Sequence, residues 1–224
     1  MRDTSAFCNK SVVSRDQLRE LQMQLAEDRA ANRGEGEQAA KASVVRERMT
    51  AAGVPAAYRD VAPDGGCLER LEGGHGYWIA GTDNGTGKTT RAARMVRTWI
   101  ERGHVSAAFV RCAGIRAIET GDRLGDEARW IGAGLLVLDD LGKEPRSEWV
   151  AARILDVVDA RVSAGKPIIV TSNLSMAGWR YALTAGGKVR PDTAAALYSR
   201  LNGACEAVHI EGEDMRKGAW NGRA

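Results

Sequence analysis

An apolar run, Tyr77-Trp-Ile-Ala80, leads directly into Gly81-Thr-Asp-Asn-Gly-Thr-Gly-Lys-Thr-Thr90, which opens an amphipathic stretch reaching to about residue 102. No other feature restricts the possible folds as much. Glycines let the backbone curl until successive N–H groups point inward and cradle phosphate oxygens at a helix N-terminus. Strand, loop and helix must then follow one another, with the strand ending at the edge of an open sheet. The loop assigns Asn84, Gly85, Thr86, Gly87, Lys88, Thr89 and Thr90 to a nucleotide's phosphates. In such a loop the lysine, here Lys88, reaches the β- and γ-phosphates, and the hydroxyl after it, on Thr89, ligates Mg²⁺.

One spacing departs from the usual Walker A pattern. That pattern places a glycine where this chain has Thr82, and the glycine stands one place earlier, at Gly81. The GTGKT core is intact, so the expectation is a working anion cradle with an altered turn over 82–84. Asp83, in that turn, is expected to face solvent.

A second motif lies about 50 residues downstream. Gly134-Leu-Leu-Val-Leu-Asp-Asp-Leu-Gly142 reads as a buried strand delivering two carboxylates at its C-terminal end, the edge of an open parallel sheet where ligands bind. Asp139 is expected to hold Mg²⁺, directly or through its water shell. Asp140 is expected to orient or deprotonate the attacking water. Pro167-Ile-Ile-Val-Thr-Ser-Asn173 is a further apolar strand ending in polar residues. If it lies beside the Asp139 strand, Asn173 can reach the lytic water or the γ-phosphate.

The remaining pattern supplies the layers. Val105–Arg111, Leu135–Leu138 and Ile168–Thr171 read as strands, and 208–210 as a closing one. Helices are predicted over 88–102, 113–131 (one or two, short), 147–164 and from Asp192, as a cap, to about Gly203. Apolar strands separated by helices imply a parallel sheet covered on both faces. Residues 1–57 differ. Ser14 and Gln17 form a capping-box pattern, and Leu18, Leu21 and Leu25 share a helical face. Arg33-Gly-Glu-Gly36 is expected to break that helix, and a second one, roughly 37–52, stops at Gly53 with Pro55 beyond. With 9 basic and 8 acidic residues and almost no aromatics, this region cannot build a large core alone. It reads as a short helical arm, 1–57, before a nucleotide-binding domain, 58–224.

Composition closes off other classes. An apolar fraction of 44% with 27% charged residues belongs to a globular chain. No apolar run approaches the ~20 residues of a membrane span, and the N-terminus lacks the apolar core of a secretory signal, so a cytoplasmic protein is expected. A net charge of +3 does not by itself argue for nucleic acid. Cys8, Cys67, Cys112 and Cys205 are too scattered for a zinc site or disulfide framework.

LLVLDDLG, IIVTSN, LYSRL and GEDMR, in this order, resemble the AAA+ ATPases of the DnaC/DnaI helicase-loader and IstB transposition-helper group. The resemblance spans about residues 53–217 and begins with AAGVPAAYRDV. It implies an AAA+ core that binds ATP and Mg²⁺, assembles into an ATP-dependent homo-oligomer and hydrolyses ATP; Asp140, one methylene shorter than the glutamate many AAA+ proteins carry there, leads to the expectation of a slow switch. The resemblance implies that Asn173 is the sensor 1 residue, that Arg200 is an arginine finger reaching a neighbouring subunit's nucleotide, and that Arg216 is sensor 2. A guanidinium supplied across an interface stabilises the transferring phosphoryl group and makes hydrolysis depend on assembly. For a helicase loader the implied partner is a hexameric replicative helicase gripped by the N-terminal arm. Single-stranded DNA is a further implied ligand, with Arg116, Arg123, Lys188 and Arg190 as candidate contacts. Two other readings stand beside the loader: an IstB-like transposition helper, and an adaptor that binds nucleotide without hydrolysis.

Overall fold

The computed structural model describes residues 15–81, 85–118 and 124–211. The chain divides into two units, residues 1–44 and residues 45–224. In the first unit the described residues belong to one helix, α1 (Arg15–Ala52), which runs on into the second. The expected break at Arg33–Gly36 does not occur. Gly34 and Gly36 each cost about 1 kcal/mol in a helix interior, but no proline interrupts the stretch, and the Ala, Glu, Gln and Arg residues around them are strong helix formers. Ser14 and the side chains of Leu18, Leu21 and Leu25 lie outside the described residues.

The second unit begins at Val45, and Met49, Ala52 and Val54 are buried in its core. α1 stops at Ala52 as the Gly53 signal requires. After the short helix α2 (Leu68–Glu72) the chain alternates: β1 (Gly76–Ala80), α3 (Lys88–Glu101), β2 (Ala107–Arg111), a 3₁₀ segment (Cys112–Ile118), α4 (Leu124–Gly132), β3 (Leu135–Asp139), α5 (Glu148–Ser163), β4 (Ile168–Ser172), α6 (Met176–Thr184), α7 (Pro191–Ala204) and β5 (Cys205–His209). The five strands form one sheet in the order β2-β3-β4-β1-β5, every neighbouring pair parallel.

Strand alternation divides the core. Trp78, Ala108, Val110, Leu136 and Leu138 face α4, α5, α6 and α7. Tyr77, Ile79, Phe109, Leu135, Val137 and Ile169 face α2, α3 and the end of α1. Both faces are covered, so β1, β3 and β4 are buried along their whole length and read as continuous apolar runs. Arg161 of α5 is fully buried. Its guanidinium donates to the carbonyls of Trp130 (2.7 Å), Ala133 (2.7 Å) and Pro167 (2.7 Å), closing the C-terminus of α4 against β3 and β4. Burial lowers its pKa to about 10.

Two readings need correction. α6 was not legible as a helix, although Ser175 caps it by accepting from Gly178 N–H at 3.1 Å and Met176, Trp179 and Leu183 are buried at helical spacing. Asp192 does not cap α7. The chain enters that helix at Arg190 with Pro191 in the first turn, and Glu148 of α5 does the capping. Glu148 accepts from Arg190 N–H (2.8 Å), Arg190 Nε (2.9 Å) and the Thr193 hydroxyl (2.6 Å). The Thr193 and Arg190 hydrogen bonds pull its pKa down to about 2.

Candidate nucleotide site

The sheet order puts β4 between β1 and β3, so the phosphate loop, the acidic pair and Asn173 emerge side by side at one sheet edge. β1 and β4 run in register to Ala80 opposite Ser172, and β3 and β4 to Leu138 opposite Val170. Gly81 follows immediately and is packed tightly: a Cβ there would sit 2.7 Å from the Ile210 carbonyl and 3.2 Å from Thr86 Oγ1. The early glycine therefore answers to a close approach by the chain leaving β5. Asn84 and the altered turn, Thr82 to Asn84, lie outside the described residues.

From Gly85 onward the loop is described. Gly87 caps α3 at φ 90°, a left-handed conformation open to glycine at little cost, and turns the first amides of the helix toward the loop. Lys88 is buried, 6% exposed. Its Nζ donates to the Gly81 carbonyl at 2.9 Å and to Thr86 Oγ1 at 3.2 Å, which holds the ammonium over the mouth of the loop. Thr89 and Thr90 occupy the first turn of α3, half-buried.

Thr89 links the loop to the acidic strand. Its hydroxyl donates to Asp139 Oδ1 at 2.9 Å, and Thr171 of β4 donates to the same oxygen at 2.8 Å. Asp139 is 2% exposed. Burial raises its carboxyl above the ordinary range, the Thr171 and Thr89 hydroxyls oppose that shift, and Asp140 adds to it. A desolvated carboxylate beside a hydroxyl is a hard oxygen donor set suited to Mg²⁺, which takes one or two protein oxygens and completes its shell with water and phosphate. The residues fit the ion.

Asp140 leaves the strand with φ 60°. Its N–H donates to Thr171 Oγ1 at 2.9 Å, so one buried hydroxyl binds the Asp139 carboxylate and the Asp140 backbone together. Sequence reasoning missed Thr171, although it stands in the quoted Thr-Ser-Asn run. The following loop is sewn to β4: Leu141 N–H donates to the Thr171 carbonyl (2.9 Å), and the Ser172 hydroxyl donates to the Leu141 carbonyl (2.6 Å). Glu144, 6% exposed, accepts from Gly142 N–H and from Trp179 Nε1 on α6. Between this loop and Ser172–Leu174 lies a cavity of about 160 Å³ lined by Asp140, Lys143 and Asn173, room for several waters.

The structure thus gathers Gly85, Thr86, Gly87, Lys88, Thr89, Asp139, Asp140 and Asn173. Arg200 is elsewhere. It lies on α7, half-exposed, in an ion pair with Asp159 of α5. Arg216 and Arg123, and the side chain of Arg116, lie outside the described residues. Lys188 is exposed, and Arg190 is engaged with Glu148.

A glycine-rich loop on β1, an acidic strand end on β3 and a polar strand end on the intervening β4 define a P-loop nucleotide-binding protein with an AAA+ core. The family of IstB-like ATP binding proteins matches residues 79–221, more than half of the chain, and the chain belongs to it. Among curated proteins none matches this chain. Among solved structures it is similar to DnaI, with a TM-score of 0.54 and 22% identity over 62% of this chain and 71% of that one. A candidate primosome component from Streptococcus pyogenes serotype M3 gives 0.53 and 18% over 72% and 91%. DnaA from Aquifex aeolicus, bound to AMPPCP, gives 0.52 and 21% over 66% and 44%. The chain therefore spans less than half the length of that DnaA. At these identities the likeness is one of fold. No helix among the described residues is long and apolar enough to cross a membrane.

Proposed function

We propose that this protein hydrolyses ATP as a switch and serves as a loader of a hexameric replicative helicase. The observation that supports hydrolysis is the linkage of Thr89, Asp139 and Thr171 through one carboxylate oxygen, with Asp140 and Asn173 beside a water-sized space. Lys88 and the loop amides bind and orient the triphosphate. Thr89 and Asp139 would hold Mg²⁺, which would supply positive charge to neutralise the phosphates. Asp140 accepts the proton of a water placed by Asn173. The water oxygen bonds to the γ-phosphorus, the bond from that phosphorus to the bridging oxygen breaks, and ADP leaves with the electron pair. Asp140 carries a shorter side chain than the glutamate many AAA+ proteins use at this place, consistent with slow turnover. Arg200 exchanges Asp159 for the nucleotide of a neighbouring copy, and Arg216 contacts nucleotide from the C-terminal segment.

Likeness of fold to DnaI and to the primosome component favours the loader, with the helical arm as the helicase contact and single-stranded DNA as a further ligand. The family match favours an IstB-like transposition helper, the second reading. The test is ATP turnover by the full chain, alone and with single-stranded DNA or a hexameric replicative helicase, comparing wild type with Lys88→Ala and Arg200→Ala. The expected result is slow turnover, altered by helicase and lost in both variants. Turnover indifferent to helicase but responsive to DNA would select the transposition reading. Nucleotide binding with no turnover under any condition would leave an adaptor.

A further inference from the structure

Lys143 is not used by the site as described, yet it is the group in contact with the proposed base. Its Nζ lies 2.9 Å from Asp140 Oδ2. The pair is local, three residues apart, and a turn closed by Lys143 N–H on the Asp140 carbonyl at 3.1 Å holds the two together. Everything else around Asp140 is fixed from the backbone side. Its own N–H is bound to Thr171, Leu141 is tied to β4 at both its N–H and its carbonyl, and Gly142 is bound to the buried Glu144. The lysine side chain, 47% exposed against 24% for Asp140, is the half of the pair more open to water.

We infer that Lys143 is a positioning residue that restrains Asp140, withholding the base until the ion pair opens. The inference rests on the hydrolytic reading above. A general base must present a free oxygen lone pair to the water it deprotonates. The ammonium occupies Oδ2, one of the two oxygens that could receive the proton. Because the pair is half-exposed, water competes for it and it opens readily. It therefore lowers the basal rate without abolishing it. Lys143 and Asn173 line the same cavity as Asp140, so the restraint sits where the lytic water must enter.

The test is steady-state hydrolysis by the full chain carrying Lys143→Met or Lys143→Arg, each with and without Asp140→Asn, alongside binding of a fluorescent ATP analogue and thermal melting. Lys143→Met should raise kcat about threefold to tenfold with KM and Tm unchanged. Lys143→Arg, which keeps a cation on Oδ2, should stay at the wild-type rate, and Asp140→Asn should erase the gain. If wild type turns over and Lys143→Met is no faster, or is slower, the restraint is wrong while the hydrolytic reading stands. If every variant binds nucleotide and none hydrolyses it, the hydrolytic reading falls and the restraint falls with it.

Discussion

Helix α3 buries Ala92, Ala93, Met95, Val96, Trp99 and Ile100, whereas in α1, before Val45, the described apolar side chains of Met23 and Val44 are 63% and 48% exposed. Both helices follow from strong local formers. α3 packs its apolar stripe on the sheet, as the end of α1 does with Met49 and Ala52. The comparison separates two settings: α3 carries a buried apolar stripe, whereas the described apolar side chains of residues 15–44 are exposed. The same contrast explains why Gly34 and Gly36, with nothing within 4 Å of an added Cβ, interrupt nothing. An exposed helix can carry two glycines where no neighbour depends on their side chains.

Breaking the packed region should have the largest effect. Arg161→Ala strips hydrogen bonds from carbonyls at the α4 terminus and at the entries to β3 and β4, and opens a void in the core. A loss of about 3–5 kcal/mol is expected in urea unfolding, and a loss under about 1 kcal/mol would show that the guanidinium is dispensable there. A smaller effect, of opposite sign, is expected within the site. Asp139 has a raised pKa in the folded state, so its ionisation opposes folding. That opposition is absent at pH 3, where the carboxyl is protonated in both states, and is present once pH exceeds the folded pKa. Asp139→Asn should raise Tm at pH 7 without nucleotide, leave it unchanged near pH 3, and abolish the Mg²⁺ dependence of nucleotide binding. An unchanged or lower Tm at pH 7 would mean that the hydroxyls of Thr89 and Thr171 fully offset burial.

The smallest effect belongs to α1. Gly34→Ala with Gly36→Ala should stabilise the helix by about 1 kcal/mol for each substitution, read as slower loss of circular dichroism at 222 nm on heating. The main melting transition, which reports the body, should not move. A shift of that transition would show that the two units melt together.

The site was legible to the extent that it consists of local motifs. Gly85 to Thr90 carry their own conformation, and Leu135 to Asp140 announce a buried strand ending in charge. What could not be read was how strand ends meet. Thr171 was visible only as part of a strand terminus, because its role requires β4 to lie against β3 with Thr171 beside Asp139. Glu144 was one charge in a loop, and its burial depends on Trp179, in a helix that the sequence pattern hid behind Gly178. The same holds for the start of α7, where Asp192 had the chemistry of a cap but Glu148, more than 40 residues away, had the position.

By itself the sequence determined the phosphate loop, the acidic pair, the parallel α/β class and the stop at Gly53, since each depends on backbone conformation or hydrophobic period within a few residues. Only the tertiary structure decided that β4 would separate β1 from β3, that one hydroxyl would bind both the Asp139 carboxylate and the Asp140 backbone, and that Arg200 would turn to Asp159. Those outcomes depend on strand order and on which side chains long-range packing brings within hydrogen-bonding distance, and no spacing along a chain encodes that.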